Sequence, residues 1–224
     1  MTRFTIILDL DGTLADTAPD LVAVANDLLA RMGAGPVDPD KGRIAAGQGA
    51  RRILEAALTD QGLALPREDA WPDIIARFIG SYRQRIARHT RLFDGMEELL
   101  AKSRENGFAL GVCTNKKQHL AEALLQALGV RDHFGSVTGA DTTGQSKPDP
   151  APLLHCISQC GGQPEQVLIA GDSMSDVLAA RAIGAPCALA AWGYLDRPAS
   201  LYQADYTVHS PEDILALACE LRNA

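Results

Sequence analysis

The amino-acid sequence predicts an α/β protein, a Rossmann-like doubly wound parallel sheet core with an inserted all-helical cap domain. Three observations predict it. Short, uninterrupted apolar runs recur along the chain, as strands buried on both faces require. Helical hydrophobic periods separate most of these runs, and strand–helix alternation is the signature of a doubly wound sheet. One long stretch, 16–88, breaks the alternation with helical periods only, which marks an insert between the first strand and the second. The expected domains are therefore a core from 1–15 and 89–224 and a cap from 16–88.

The first run is Phe4 to Leu8, which stops at carboxylates. Within the insert, Thr17-Ala18-Pro19-Asp20 reads as a capping box with an early proline, ahead of a helical face of Leu21, Val24, Ala25, Leu28 and Met32 closed by Gly33. Ala50 to Leu58 reads as a second helix. Trp71, Ile74, Ile75, Phe78, Ile79, Tyr82 and Ile86 form a third amphipathic stripe. Back in the core, Met96, Leu99 and Leu100 precede the run Phe108 to Cys113. Leu120, Ala123, Leu124, Ala127 and Leu128 make a helix stopped by Gly129, followed by a weaker strand at Ser136 to Thr138. Leu153, Leu154 and Ile157 precede the run Gln166 to Ala170. Val177, Leu178 and Ile183, stopped by Gly184, precede Pro186 to Ala191 and a last short strand at Asp205 to Val208.

The chain has 224 residues, enough to bury a core without covalent staples. Its net charge of −7 and pI near 5.2 argue against broad binding to nucleic acid or anionic membranes, while leaving room for a local cationic pocket and a small anionic substrate. No apolar stretch reaches the length of a transmembrane helix, and the N-terminal run is too short for a signal peptide core, so a cytoplasmic protein is expected. The five cysteines, Cys113, Cys156, Cys160, Cys187 and Cys219, form no C-x-x-C pair and read as reduced thiols.

In open α/β sheets ligands bind beyond the carboxyl ends of the strands. The residues there are Asp9-Leu10-Asp11-Gly12-Thr13, Thr114-Asn115 and Gly171-Asp172-Ser173-Met174-Ser175-Asp176, with Lys147-Pro148 ahead of a helix. Each alone reads as well as a turn or a helix cap. Together, in this order and at these strand ends, they assemble carboxylates, a hydroxyl and an ammonium at one edge. Asp9, Asp172 and Asp176 are hard oxygen ligands suited to Mg²⁺, and no histidine or cysteine joins them. Thr114, neighbouring backbone N–H groups and Lys147 are donors for a phosphate. Asp9 and Asp11 face one site if the chain turns at Gly12, and can then divide the work of nucleophile and acid.

These four stretches resemble the motifs of the haloacid dehalogenase superfamily, over the whole chain and with a helical cap after the first motif. Within it the sequence looks most like the phosphoglycolate phosphatases, on Asp16-Thr17-Ala18-Pro19-Asp20-Leu21, Gly47-Gln48-Gly49-Ala50, Lys147-Pro148-Asp149-Pro150 and Trp192-Gly193-Tyr194. The resemblance implies a phosphatase working through an aspartyl-phosphate on 2-phosphoglycolate or a similar small ester. Asp9 would attack phosphorus. Asp11 would protonate the leaving alkoxide and then activate water, its backbone carbonyl ligating Mg²⁺. Asp172 would be a direct ligand, and Asp176 would support the metal's water shell or Lys147. Thr114 and the Asn115 backbone would grip the phosphoryl group. An acid at position 11 separates the chain from the dehalogenases and the phosphonoacetaldehyde hydrolases. The latter also need a cap Schiff-base lysine, and the cap lysine here, Lys41, lies in a polar stretch unsuited to a desolvated amine.

The cap is expected to set the substrate. Gly49 opens a helix whose N-terminal amides suit an anion, with Arg51 or Arg52 as partner for a substrate carboxylate. A cap arginine also keeps a phosphoglucomutase-like reaction in view, beside phosphatases of sugar phosphates, nucleotides or pyrophosphate. A non-catalytic phosphometabolite-binding regulator is the alternative of another class, disfavoured by the presence of both Asp9 and Asp11. A monomer or homodimer with no nucleic-acid or membrane partner is expected.

Overall fold

The structure, a computed structural model, describes residues 3–223. In chain order it runs β1 (Thr5–Leu8), β2 (Ala15–Asp16), α1 (Ala18–Arg31), α2 (Pro39–Ala46), α3 (Ala50–Asp60), α4 (Trp71–Arg83), β3 (Arg91–Leu92), α5 (Met96–Glu105), β4 (Ala109–Cys113), α6 (Gln118–Ala127), β5 (Ser136–Thr138), α7 (Ala151–Gln159), β6 (Val167–Gly171), α8 (Met174–Ala182), β7 (Cys187–Ala190), β8 (Tyr206–Val208) and α9 (Pro211–Asn223). Two compact units result. One joins the segment ending at Ala15 to the segment starting at Leu92; the other is Asp16–Arg91. The chain passes between them through β2 and β3, which pair with each other.

The first unit holds a six-stranded sheet in the order β5-β4-β1-β6-β7-β8, parallel throughout. Every residue of β1 and β6 is buried, which is why these strands read as unbroken apolar runs. Ile7, Val167, Ile169, Cys187 and Leu189 pack with Leu153, Cys156 and Ile157 of α7 and Val177 and Ala180 of α8. α5 and α9 pack on each other and on β4, β6 and β8. β1 lies between β4 and β6, and chain order departs in opposite directions from it, so β1 is the topological switch point where a crevice opens beyond the strand ends. The register aligns Leu8 with both Val112 and Ala170, so the residues that follow all three strands emerge at one edge.

The second unit is helical, with α1 packed on α2, α3 and α4. Three expectations change here. The capping box does not form: the Thr17 side chain makes no cap hydrogen bond to α1, and Asp20 turns elsewhere, its carboxylate, 2% exposed, accepting the N–H groups of His89 and Thr90 and the Thr90 hydroxyl at 2.8–3.0 Å. These bonds hold His89 and Thr90 to the helical unit, so the crossing falls at Arg91–Leu92. The third stripe ends as a helix at Arg83, short of Ile86; turns follow, with Ala87 in the left-handed region at φ 60°. A helix absent from the sequence reading, α2, starts at Pro39 because the Asp38 side chain accepts the N–H groups of Asp40 and Lys41. In the first unit, Leu154 and Leu178 are exposed rather than buried with their stripes. Among the described residues no helix is long and apolar enough to cross a membrane.

Candidate active site

Asp9 continues β1 and donates its N–H to Ala170 O of β6 at 2.9 Å, which fixes it at the sheet edge. Its Oδ1 accepts the Leu10 N–H at 2.7 Å and lies 3.1 Å from Lys147 Nζ. The chain then turns at Gly12, whose φ of 83° is a left-handed conformation open to glycine. A Cβ at that position would also overlap the Asp172 carboxylate. The turn brings Asp11 into the site, and its two carboxylate oxygens accept from Lys116 Nζ at 2.9 and 3.0 Å.

Asp172 follows β6 and is 2% exposed. Thr13 Oγ1 donates to its Oδ1 at 3.0 Å and the Tyr194 N–H to its Oδ2 at 2.6 Å. Trp192 Nε1 donates to Thr13 O at 3.1 Å, so the Trp192-Gly193-Tyr194 segment braces the first loop against the fourth. Asp176 lies one turn into α8. Its Oδ1 accepts from Lys147 Nζ at 2.6 Å, while its Oδ2 accepts from Ser173 in the capping box of that helix. Lys147, 3% exposed, also donates to Cys113 O at 2.6 Å. Thr114 is buried at the end of β4. The Asn115 side chain donates to Lys147 O at 2.9 Å and so holds the lysine's own backbone rather than pointing a side-chain donor at a ligand.

One oxygen from each of Asp9, Asp172 and Asp176 lies within 4.8 Å of the others. Against these three carboxylates stands one ammonium, Lys147. Burial pushes Asp9 up to about 6, opposed by Lys147 and reinforced by Asp176 and Asp11. Burial and the facing Asp9 and Asp176 push Asp172 up to about 8. Burial works against the charge of Lys147, but Asp176 and Asp9 together hold it well above the ordinary lysine range. Three carboxylates gathered around one cation, with Asp9 and Asp172 pushed up by burial and by neighbouring carboxylates, fit a hard dication, which would supply the missing positive charge and takes oxygen ligands of this kind.

The cap residues singled out by sequence are occupied within their own unit. Gly49, at φ 95°, is the residue before α3. Arg51 donates to Glu55 at 2.6 Å and forks onto Glu68 at 2.6 and 3.0 Å, with its guanidinium 4.7 Å from the Trp71 ring centre. That bidentate pair ties α3 to the segment before α4. Arg52 meets Glu55 at 3.2 Å and is otherwise more exposed. Thr13 and Trp192-Gly193-Tyr194 stand in the sequence motifs without a role, and Lys116 is absent from them although it directly follows Thr114-Asn115; their contacts join segments far apart in the chain.

Residues 6–190 match the family model for haloacid dehalogenase-like hydrolases. A phosphoglycolate phosphatase of Caulobacter vibrioides is 40% identical over 210 residues, which cover 94% of this chain and 88% of that protein. An N-acetylmuramic acid 6-phosphate phosphatase of Pseudomonas aeruginosa is 36% identical over 213 residues, 94% of this chain and 92% of that protein. The crystal structure of a predicted phosphoglycolate phosphatase from Haemophilus somnus matches with a TM-score of 0.86 at 27% identity, covering 97% of this chain and 98% of that one.

Proposed function

Because the chain belongs to the haloacid dehalogenase-like hydrolase family, we propose that it is a Mg²⁺-dependent phosphatase of a small anionic phosphate monoester, 2-phosphoglycolate foremost, acting through an aspartyl-phosphate. The observation that carries this reading is the cluster of Asp9, Asp172 and Asp176 around Lys147 at the carboxyl ends of β1 and β6. Among the described residues, both side-chain contacts of Asp9 go to Oδ1, which leaves Oδ2 to attack. In the first step Asp9 Oδ2 bonds to phosphorus, the bond from phosphorus to the glycolate oxygen breaks, and Asp11 gives that oxygen its proton. In the second, Asp11 takes a proton from water as the water oxygen bonds to phosphorus, and the bond to Asp9 breaks to release inorganic phosphate.

The other residues position and neutralise. Lys147 holds one Asp9 oxygen and offers positive charge beside the transferred group. Thr114 and the Asn115 backbone receive phosphoryl oxygens, and the Asn115 side chain keeps Lys147 in place. Asp9, Asp172 and the Asp11 backbone carbonyl would hold Mg²⁺, which when bound would supply positive charge for the phosphoryl oxygens. Asp176, with its oxygens on Lys147 and Ser173, orients the lysine and supports the metal's surroundings.

The test is a panel of 2-phosphoglycolate, N-acetylmuramic acid 6-phosphate, a hexose 6-phosphate and pyrophosphate, with and without Mg²⁺. The highest kcat/KM for 2-phosphoglycolate, lost on chelation, supports the reading. The similarity to an N-acetylmuramic acid 6-phosphate phosphatase favours a second reading, a sugar-acid phosphate as substrate, and a higher kcat/KM for that ester would replace the first. No phosphate released from any ester would leave a binding protein on a phosphatase fold.

A further inference from the structure

Lys116 has no part in the reaction drawn above, yet it is a cation with a side chain only 6% exposed, at the edge where the chemistry is placed. Its backbone is fixed from both sides. Its N–H donates to Thr114 Oγ1 at 3.2 Å and its carbonyl accepts the Ala140 N–H at 3.0 Å. The side chain crosses from the loop after β4 to the loop after β1 and puts Nζ 2.9 and 3.0 Å from the two oxygens of Asp11. A buried charge on a pinned backbone is a pre-organised recognition group.

We propose that Lys116 is a specificity-determining residue that binds an anionic group carried next to the ester oxygen of the substrate, selecting 2-phosphorylated α-hydroxy carboxylates over esters of neutral alcohols. The proposal rests on the reading of Asp11 as the residue facing the leaving-group oxygen. A hydrogen bond of about 2.8 Å from Asp11 to that oxygen puts the oxygen and the ammonium on one carboxylate, within about 6 Å of each other. In phosphoglycolate the carboxylate carbon is two bonds from the ester oxygen, so a carboxylate oxygen falls inside that span and reaches the ammonium at salt-bridge distance. A sugar 6-phosphate has neutral carbons and hydroxyls there, and leaves the same ammonium without an added anion. Of the two cap cations expected to take the carboxylate, Arg51 is held in a bidentate pair with Glu68 and a further bond to Glu55, and Arg52 meets Glu55 at 3.2 Å.

The test compares kcat/KM for 2-phosphoglycolate with that for 2-hydroxyethyl phosphate, which has the same carbon chain and no carboxylate. In the wild-type chain the ratio is expected to favour 2-phosphoglycolate. Lys116→Gln is expected to lower the ratio about a hundredfold, since losing one partner of a desolvated charge pair is worth that much discrimination. Lys116→Arg, which keeps the charge, is expected to restore part of it. Circular dichroism and melting of each variant verify folding. A ratio unchanged in Lys116→Gln, or equal losses on both esters, overturns the proposal while leaving the phosphoglycolate reading intact. The absence of any preference in the wild-type chain overturns both.

Discussion

Replacing Lys147 with methionine keeps most of the side-chain volume and removes the one ammonium that faces Asp9 at 3.1 Å and Asp176 at 2.6 Å. The three carboxylates left behind present oxygens within 4.8 Å of one another. Two unit charges about 4 Å apart interact by roughly 4 kcal/mol at an effective dielectric of about 20, and removing one partner from a buried ion pair costs about 3–5 kcal/mol. The expected loss of stability at pH 8 is therefore about 3–5 kcal/mol. It is not uniform in pH. Two acids of this cluster have raised folded-state values, about 6 for Asp9 and about 8 for Asp172, and loss of Lys147 raises Asp9 further. An acid raised on folding costs stability as pH climbs from its unfolded value towards its folded one. At pH 5.5 the folded variant takes up protons cheaply, and the deficit shrinks to about 1–2 kcal/mol. Urea melts of both proteins at the two pH values, with and without Mg²⁺, measure it, and millimolar Mg²⁺ at pH 8 is expected to recover part of the loss. A deficit equal at both pH values and indifferent to Mg²⁺ would show that Lys147 acts through packing and not through charge.

Other outcomes follow from the same geometry. Asp9→Asn is expected to fold and to lose at least about a thousandfold in kcat; turnover near wild type would remove Asp9 as nucleophile. In the wild-type protein Mg²⁺ is expected to raise Tm more at pH 8.5 than at pH 5.5, because protons on Asp9 and Asp172 compete with the ion in the acid range; an equal shift at both would place the ion elsewhere. Asp20→Ala strands the N–H groups of His89 and Thr90 and the Thr90 hydroxyl, and chemical denaturation is expected to show a loss of about 2–4 kcal/mol; a change within error would mean that water replaces the carboxylate.

What the sequence made legible follows from how burial writes itself into a pattern. β1, β4, β6 and β7 are enclosed by neighbouring strands and by helices, so their side chains, Thr5 of β1 aside, are apolar and stand out from everything around them. The strand ends were legible for a related reason: Asp9 and Asp172 break such runs abruptly. α2 was not legible because Pro39–Ala46 is polar and contains a glycine, and its start depends on the Asp38 side chain rather than on an apolar stripe. Asp20 looked like part of a local cap, and its real partners lie 69 and 70 residues away. Lys116 was passed over for the same reason, since Asp11 is 105 residues from it. Leu154 and Leu178 fit a helical period yet face outward, as a stripe wider than the contact it makes allows. In the cap, the composition of Arg51 and Arg52 suggested an anion, while Glu55 and Glu68 supply one from within the chain.

The central claim is that the Asp9 carboxylate becomes covalently phosphorylated. Acid quenching of the enzyme during turnover of 2-phosphoglycolate with Mg²⁺, followed by borohydride reduction, converts an acyl phosphate of aspartate to homoserine, which peptide mass spectrometry locates. Homoserine at position 9, absent without substrate, is the predicted result. Homoserine at another aspartate, or none under conditions of rapid phosphate release, would contradict it.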